Sequence, residues 1–227
     1  PGDAKDAIRV ASGGTKEFDF VAGAPGTYFY RVSCFAPIPI DALYPGADTT
    51  MTGAFIVDKP GAPTDDRVMV IGLWYSWLVP FDFEHGFHEI PTINGKSWPQ
   101  TTRLSYTVGE TAHWRVINAS VVIHPMHLHG AHFRLDSTGN AFKDDVFSSE
   151  RQRMEVTEQM QPGQTMAVTW TPTHSGNWIF HCHLAVHFDG GLKKAAGEVM
   201  GAEKPEHEEH AGVHDRRVDG ASGLHVS

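Results

Sequence analysis

The sequence predicts an all-β protein built as an antiparallel β-sandwich, and three observations carry that reading. Short alternating or aromatic-rich runs recur along the chain. Turn formers separate them, with 23 glycines and 14 prolines among 227 residues. No convincing long amphipathic helix interrupts the series. Hydrophobic residues at 41% and aromatics at 11% suffice to bury one to two cores. No apolar run reaches membrane-spanning length, so no membrane partner is expected. A net charge of -9 argues against a nucleic-acid partner, because phosphate binding wants clustered Lys and Arg.

Taken in order, residues 15–20, 26–31 and 51–57 alternate or carry aromatics in the manner of strands. Residues 58–65 hold two prolines and a glycine and read as a linker. A second series opens at residues 67–71 and continues with strands near 112–117, 129–135, 165–170 and 177–183. Residues 193–200 read as a short helix. The end of the chain is polar and rich in Glu and His, a linker or tail. The expected organisation is therefore 1–60, 61–200 and 201–227, with one partial and one complete sandwich.

Two stretches carry the chemistry: His124-Pro125-Met126-His127-Leu128-His129-Gly130 and His181-Cys182-His183-Leu184-Ala185-Val186-His187. Imidazole and thiolate at this density point to copper, zinc or iron. Alternate side chains of an extended strand share a face, so His181 and His183 look one way and Cys182 the other. One segment then serves two metal sites back to back, for which a structural zinc site has no use. His127 and His129 are likewise alternate residues, about 6.6 Å apart along a strand. Pro125 is expected to bend the chain so that His124 faces elsewhere. Pairing by face gives one site from His124, Cys182 and His187, and a second from His127, His129, His181 and His183. Two imidazoles and a thiolate describe a blue-copper electron-transfer centre.

These residues resemble the multicopper oxidases, the family that includes the laccases. Its last type 1 copper domain carries His-Pro-x-His-Leu-His-Gly and His-Cys-His-x-x-x-His motifs, and both are present without a gap. Residues 93–98, 114–118 and 176–178 look like the strands that frame them. The resemblance implies a Greek-key cupredoxin fold. It implies His124, Cys182 and His187 as type 1 copper ligands, with Leu192 at the weak axial position. It implies His127 as a type 2 ligand and His129, His181 and His183 as type 3 ligands of a trinuclear cluster. In the family a reducing substrate, a phenol, aromatic amine or metal ion, gives single electrons to type 1 copper. They cross Cys182 to His181 and His183, and the cluster reduces O2 to water. Family habit also implies a periplasmic or extracellular location.

The departures matter as much. Residues 26–30 and 53–58 resemble the closing strands of a first domain whose opening strands are missing, so the chain is expected to start in mid-domain. A ligand-bearing domain of that kind reads Gly-Thr-Tyr-Trp-Tyr-His-x-His, whereas here Arg31 and Ser33 replace the histidines. Neither is a plausible copper ligand. The partial domain is therefore expected to be copper-free. The remaining trinuclear ligands are expected from a His-rich cupredoxin domain, in cis or in another subunit.

Other residues read more plainly. Cys34 is taken as a small buried residue and not as a disulfide partner of Cys182. His85 and His88 lack the alternate spacing of ligands and read as surface or capping residues. His113, His132 and His174 read as packed or surface histidines. The tail residues His207, His210 and His214 read as solvated. An alternative function is a non-enzymatic copper-binding electron-transfer protein with type 1 copper alone. It would have no need of His127, His129, His181 and His183. A two-domain nitrite reductase would not need the paired His-x-His motifs. A sandwich with decayed copper sites would not keep every ligand.

Overall fold

The computed structural model describes residues 8–32, 51–62, 65–75, 89–184, 187 and 223–226. Thirteen strands lie among the described residues. They are β1 (Gly26–Arg31), β2 (Thr52–Val57), β3 (Arg67–Tyr75), β4 (Glu89–Ile93), β5 (Ala112–Asn118), β6 (His124–Leu128) and β7 (Phe133–Asn140), followed by β8 (Asp144–Val146), β9 (Arg153–Glu155), β10 (Thr157–Met160), β11 (Gln164–Trp170), β12 (Trp178–Cys182) and β13 (Gly223–Val226).

The large sheet runs β4-β3-β5-β11-β7-β8, with β9 also paired to β7. Placing β11 between β5 and β7 is the non-sequential step of a Greek key. All its ladders are antiparallel except β3 with β5. The small sheet runs β10-β6-β12-β13. Between the sheets lies one apolar cluster: Trp114 and Val116 from β5, Phe133 and Leu135 from β7, and Met166, Val168 and Trp170 from β11. These meet Met126 and Leu128 from β6 and Trp178, Phe180 and Cys182 from β12. Period-2 alternation explains the list, since every second residue of a strand faces the same layer. The rings interlock, Trp114 lying tilted against Phe180 at 5.0 Å and edge-on to Trp170 at 5.4 Å.

The β1–β2 hairpin packs on the outer face of the large sheet. Phe29 closes over Ile117 and Ala119, whose side chains point away from the main core. Polar contacts pin it there. The Thr27 amide donates to the Asp144 carboxylate at 2.8 Å, and the Arg115 guanidinium bonds Asp66 at 2.6 Å and the Thr27 hydroxyl at 3.2 Å. Arg115 also reaches Asp58, so the stretch read as a linker is tied to the sheet at both ends.

Two strand expectations are corrected. Residues 15–20 form no strand; Phe18 stacks on Phe20, and Phe20 packs on Phe55 with centroids 5.3 Å apart, so side chains and not a backbone ladder hold the segment. The strand expected over 129–135 is instead divided. β6 ends at Leu128, the chain turns at Gly130 with φ of 70°, and β7 begins at Phe133. Only glycine takes that φ without strain, which gives the motif's last residue its physical reason.

Candidate metal centre

The first motif begins on β6 and the second at the end of β12, and the two strands are paired. The ladder places His127 opposite His181, Met126 opposite Cys182 and Leu128 opposite Phe180. His129 and His183 then fall diagonally beside the His127–His181 pair. The His129 amide donates to Ile179 and the His183 amide to Pro125, at 2.9 and 2.7 Å, which extends the ladder past both strand ends. Four imidazoles therefore gather on one face. His124 and Cys182 share the opposite face with Met126, Leu128 and Phe180.

The reason expected for the orientation of His124 is corrected. The strand runs straight through Pro125, which pairs with Gln159 of β10. His124 and His127 face opposite ways because three is an odd number of residues along a strand. No bend is involved.

On the inner face, the ligand atoms of His124, Cys182 and His187 lie within 4.8 Å of one another, and all three residues are buried. The Cys182 Sγ is 3.2 Å from His187 Nδ1, and the rings of His124 and His187 stack with centroids 4.8 Å apart. His124 Nδ1 is buried without a hydrogen-bond partner. Such an atom is costly in a packed core unless something else satisfies it. A soft metal ion facing two imidazoles and a sulfur would do so, and the donor set is the one copper prefers.

The electrostatics agree. Burial, with the neighbouring His187 second, holds His124 down at about 3, so its imidazole is neutral and able to donate a lone pair. Burial also lowers His187. Burial pushes the Cys182 thiol up to about 11, so the sulfur keeps its proton until a cation displaces it.

The outer face is more open. His127 lies 4.7 Å from His129 and 5.2 Å from His183, centroid to centroid, and His181 lies 4.9 Å from His129. His129 and His183 are exposed, His127 is half-buried and His181 buried. His181 Nδ1 is 2.7 Å from the Cys182 carbonyl, an oxygen that only accepts, so Nδ1 carries the hydrogen and Nε2 the lone pair. That Nε2 lies 2.8 Å from His129 Nε2. His127 Nδ1 bonds the Thr157 hydroxyl at 2.7 Å, which turns its Nε2 edge to the cluster. Burial first, and then the neighbouring imidazoles, lower His181 to about 4 against the pull of the Cys182 carbonyl. Burial lowers His127 as well.

The structure thus brings together all seven motif residues in the two expected groups; alternation accounts for six of them, and His187 joins Cys182 through the turn after β12, where its amide bonds the Leu184 carbonyl. Leu192, Met200, Ser33, Cys34, His85, His88, His207, His210 and His214 lie outside the described residues. His113 bonds Thr169 and His174 packs on Trp178. Sequence reasoning missed the side chains behind the imidazoles: Asn118, Ser120 and Thr157. Asn118 ends a segment noted as framing the motifs, but nothing in sequence pairs Thr157 with His127.

A Greek-key sandwich with a buried His–Cys–His set behind a strand and imidazoles before it defines a copper-protein architecture. The chain belongs to the multicopper oxidase family, whose model matches residues 78–197, just over half of the 227. It is 29% identical over 133 residues to the multicopper oxidase MmcO of Mycobacterium tuberculosis, covering 57% of this chain and 22% of that protein. It is 37% identical over 154 residues to a laccase of Arthroderma benhamiae, covering 59% of this chain and 23% of that one. In fold it is similar to the blue copper oxidase from Nitrosomonas europaea, with a TM-score of 0.62 at 21% identity, covering 91% of this chain and 57% of that one. The cupredoxin fold implied by the motifs is thereby established. The chain spans about a quarter of the length of those curated relatives.

Proposed function

We propose that this chain is the type 1 copper-bearing part of a laccase-like multicopper oxidase, with half of the ligand set of a trinuclear cluster on its surface. His124, Cys182 and His187 would hold the first copper, with Leu192 at the axial position. His127 would serve a type 2 copper and His129, His181 and His183 the type 3 pair. Bound there, copper supplies one-electron redox chemistry between a reducing substrate and O2. The observation that carries the reading is the partnerless, buried His124 Nδ1 beside the Cys182 sulfur, back to back with four clustered imidazoles.

The chain's own residues supply the connection. Cys182 is bonded through the backbone to His181 and His183, and its carbonyl receives the His181 Nδ1 hydrogen, so the two faces share covalent and hydrogen-bonded routes. Burial of the inner face excludes water. The exposed edges of His129 and His183 leave room for further ligands. We propose that these come from a His-rich cupredoxin domain, in cis or in a neighbouring subunit, because Arg31 and Ser33 stand where the hairpin's histidines would be. The segments 1–60, 61–200 and 201–227 then correspond to a copper-free partial domain, the copper domain and a polar linker or tail, of which residues 223–226 return to pair with β12 as β13. The proposed setting is periplasmic or extracellular, and the donor a phenol, aromatic amine or metal ion.

Copper titration of the purified chain tests the reading. One tightly held ion giving an intense thiolate-to-copper band is expected, with further ions held more weakly. A chain that binds copper without that band would exclude Cys182 as a ligand.

A further inference from the structure

We propose that Ser120, oriented by Asn118, is the positioning residue that locks His124 with its hydrogen on Nε2 and so dedicates Nδ1 to the metal. This deepens the metal-site reading above and rests on it. The argument runs through donors and acceptors alone. Asn118 is fully buried, and its Nδ2 faces three backbone carbonyls: Val122 at 2.8 Å, Gln161 at 3.0 Å and Met160 at 3.2 Å. Carbonyls only accept, so the amide nitrogen must point there and the Asn118 oxygen must point the other way. That oxygen accepts from the Ser120 amide at 3.0 Å and from the Ser120 hydroxyl at 2.7 Å. The Val122 carbonyl lies farther off, at 3.2 Å. Two oxygens 2.7 Å apart need a hydrogen between them and the Asn118 oxygen carries none, so the hydroxyl hydrogen goes to Asn118 and not to the His124 ring.

Ser120 Oγ has only lone pairs left for His124 Nε2, which sits 2.8 Å away. The ring nitrogen is therefore the donor. A neutral imidazole has one hydrogen, so Nδ1 is bare, and Nδ1 is the buried atom without a hydrogen-bond partner. Outer hydrogen bonds of this kind fix tautomer and ring angle and make the ligating nitrogen more basic. Because the site's own walls set the Asn118 orientation, the lock exists before any metal arrives. The framework around it is firm, since the Asn118 carbonyl also accepts from Gly163 at 2.9 Å.

Long-range 1H–15N spectra of the metal-free chain at neutral pH, together with Cu(II) titration, test this. In the wild type, His124, assigned by the signal lost in His124→Gln, should show a single tautomer with Nε2 protonated. Ser120→Ala should mix the tautomers, lower Cu(II) affinity by about 10- to 100-fold and shift the thiolate-to-copper band. Ser120→Thr, which keeps the hydroxyl, should restore both. A wild-type His124 protonated on Nδ1 overturns the proposal, and needs no variant to fold. So does a Ser120→Ala protein with wild-type tautomer and copper affinity. A wild-type chain showing the lock yet taking up no Cu(II) overturns the metal reading and leaves the hydrogen-bond lock standing.

Discussion

The two faces of the β6–β12 strand pair are made by the same residues in alternation, yet they are different environments. The inner face holds His124, Cys182 and His187 inside the apolar core, against Met126, Leu128 and Phe180. Its three donors are buried and all belong to this chain. The outer face carries four imidazoles, two of them exposed. Its donors are grouped but not enclosed. One strand pair therefore offers a closed site and an open one, and the difference lies in what packs against each face.

The largest effect should come from removing the atom unique to the inner face. Cys182→Ser should abolish the thiolate-to-copper band of the copper-loaded chain while far-ultraviolet circular dichroism stays unchanged. A variant as blue as wild type would break the comparison at once.

The outer face predicts incompleteness. Residues 1–227 alone should consume little O2 with a phenolic donor in an oxygen electrode. Addition of a His-rich partner domain should restore uptake. Robust uptake by the purified monomer would mean that the outer face is completed from within, by histidines such as His85 and His88.

Because the inner face is also core, it should be sensitive to cavities. Phe180 is fully buried between Trp114 and Phe133, with centroids 5.0 and 6.5 Å away. Phe180→Ala should cost about 3–5 kcal/mol in denaturant unfolding. An exposed outer-face change, His183→Ala, should cost far less.

Acid should act on both faces through histidines held neutral. His124 and His181 titrate at about 3 and about 4 in the folded chain, against 6.5 when unperturbed. In that window the unfolded chain binds more protons, so stability is full above about pH 6.5 and falls as pH drops towards the folded values. Each such histidine should contribute up to about 1.4 kcal/mol per pH unit. Melting temperatures of the metal-free chain between pH 7.5 and 4.5 should show this, and His124→Leu should flatten the slope.

The smallest effect concerns the axial assignment. Leu192→Met should lower the potential of the blue band, since a thioether favours Cu(II), while changing stability by less than about 1.5 kcal/mol. An unchanged potential in redox titration would move the axial position to another residue, Met200 first.

Sequence by itself determined much of this. Alternation is local, so the opposite facing of Cys182 and its flanking histidines follows from adjacency alone, as does the shared face of His127 and His129; His187, an odd five residues past Cys182 and beyond the end of β12, reaches the inner site only through the turn that follows the strand. The odd spacing of His124 and His127 needed only counting, and invoking a proline bend there replaced a simpler rule. The β-rich class and most long strands were likewise legible from period-2 patterning. The aromatic run at residues 15–20 imitates that pattern without finding a backbone partner, and such partners are invisible in one segment's sequence.

Tertiary structure decided the rest. The register that sets His127 against His181 joins residues 54 positions apart, and pairing at that distance depends on what the whole sheet buries. Which nitrogen of His124 is bare depends on Ser120, whose hydroxyl depends on Asn118, whose amide is turned by carbonyls from two other segments. A residue's type and spacing determine which face it occupies. The atom it offers there is decided by hydrogen-bond partners that only the folded chain assembles.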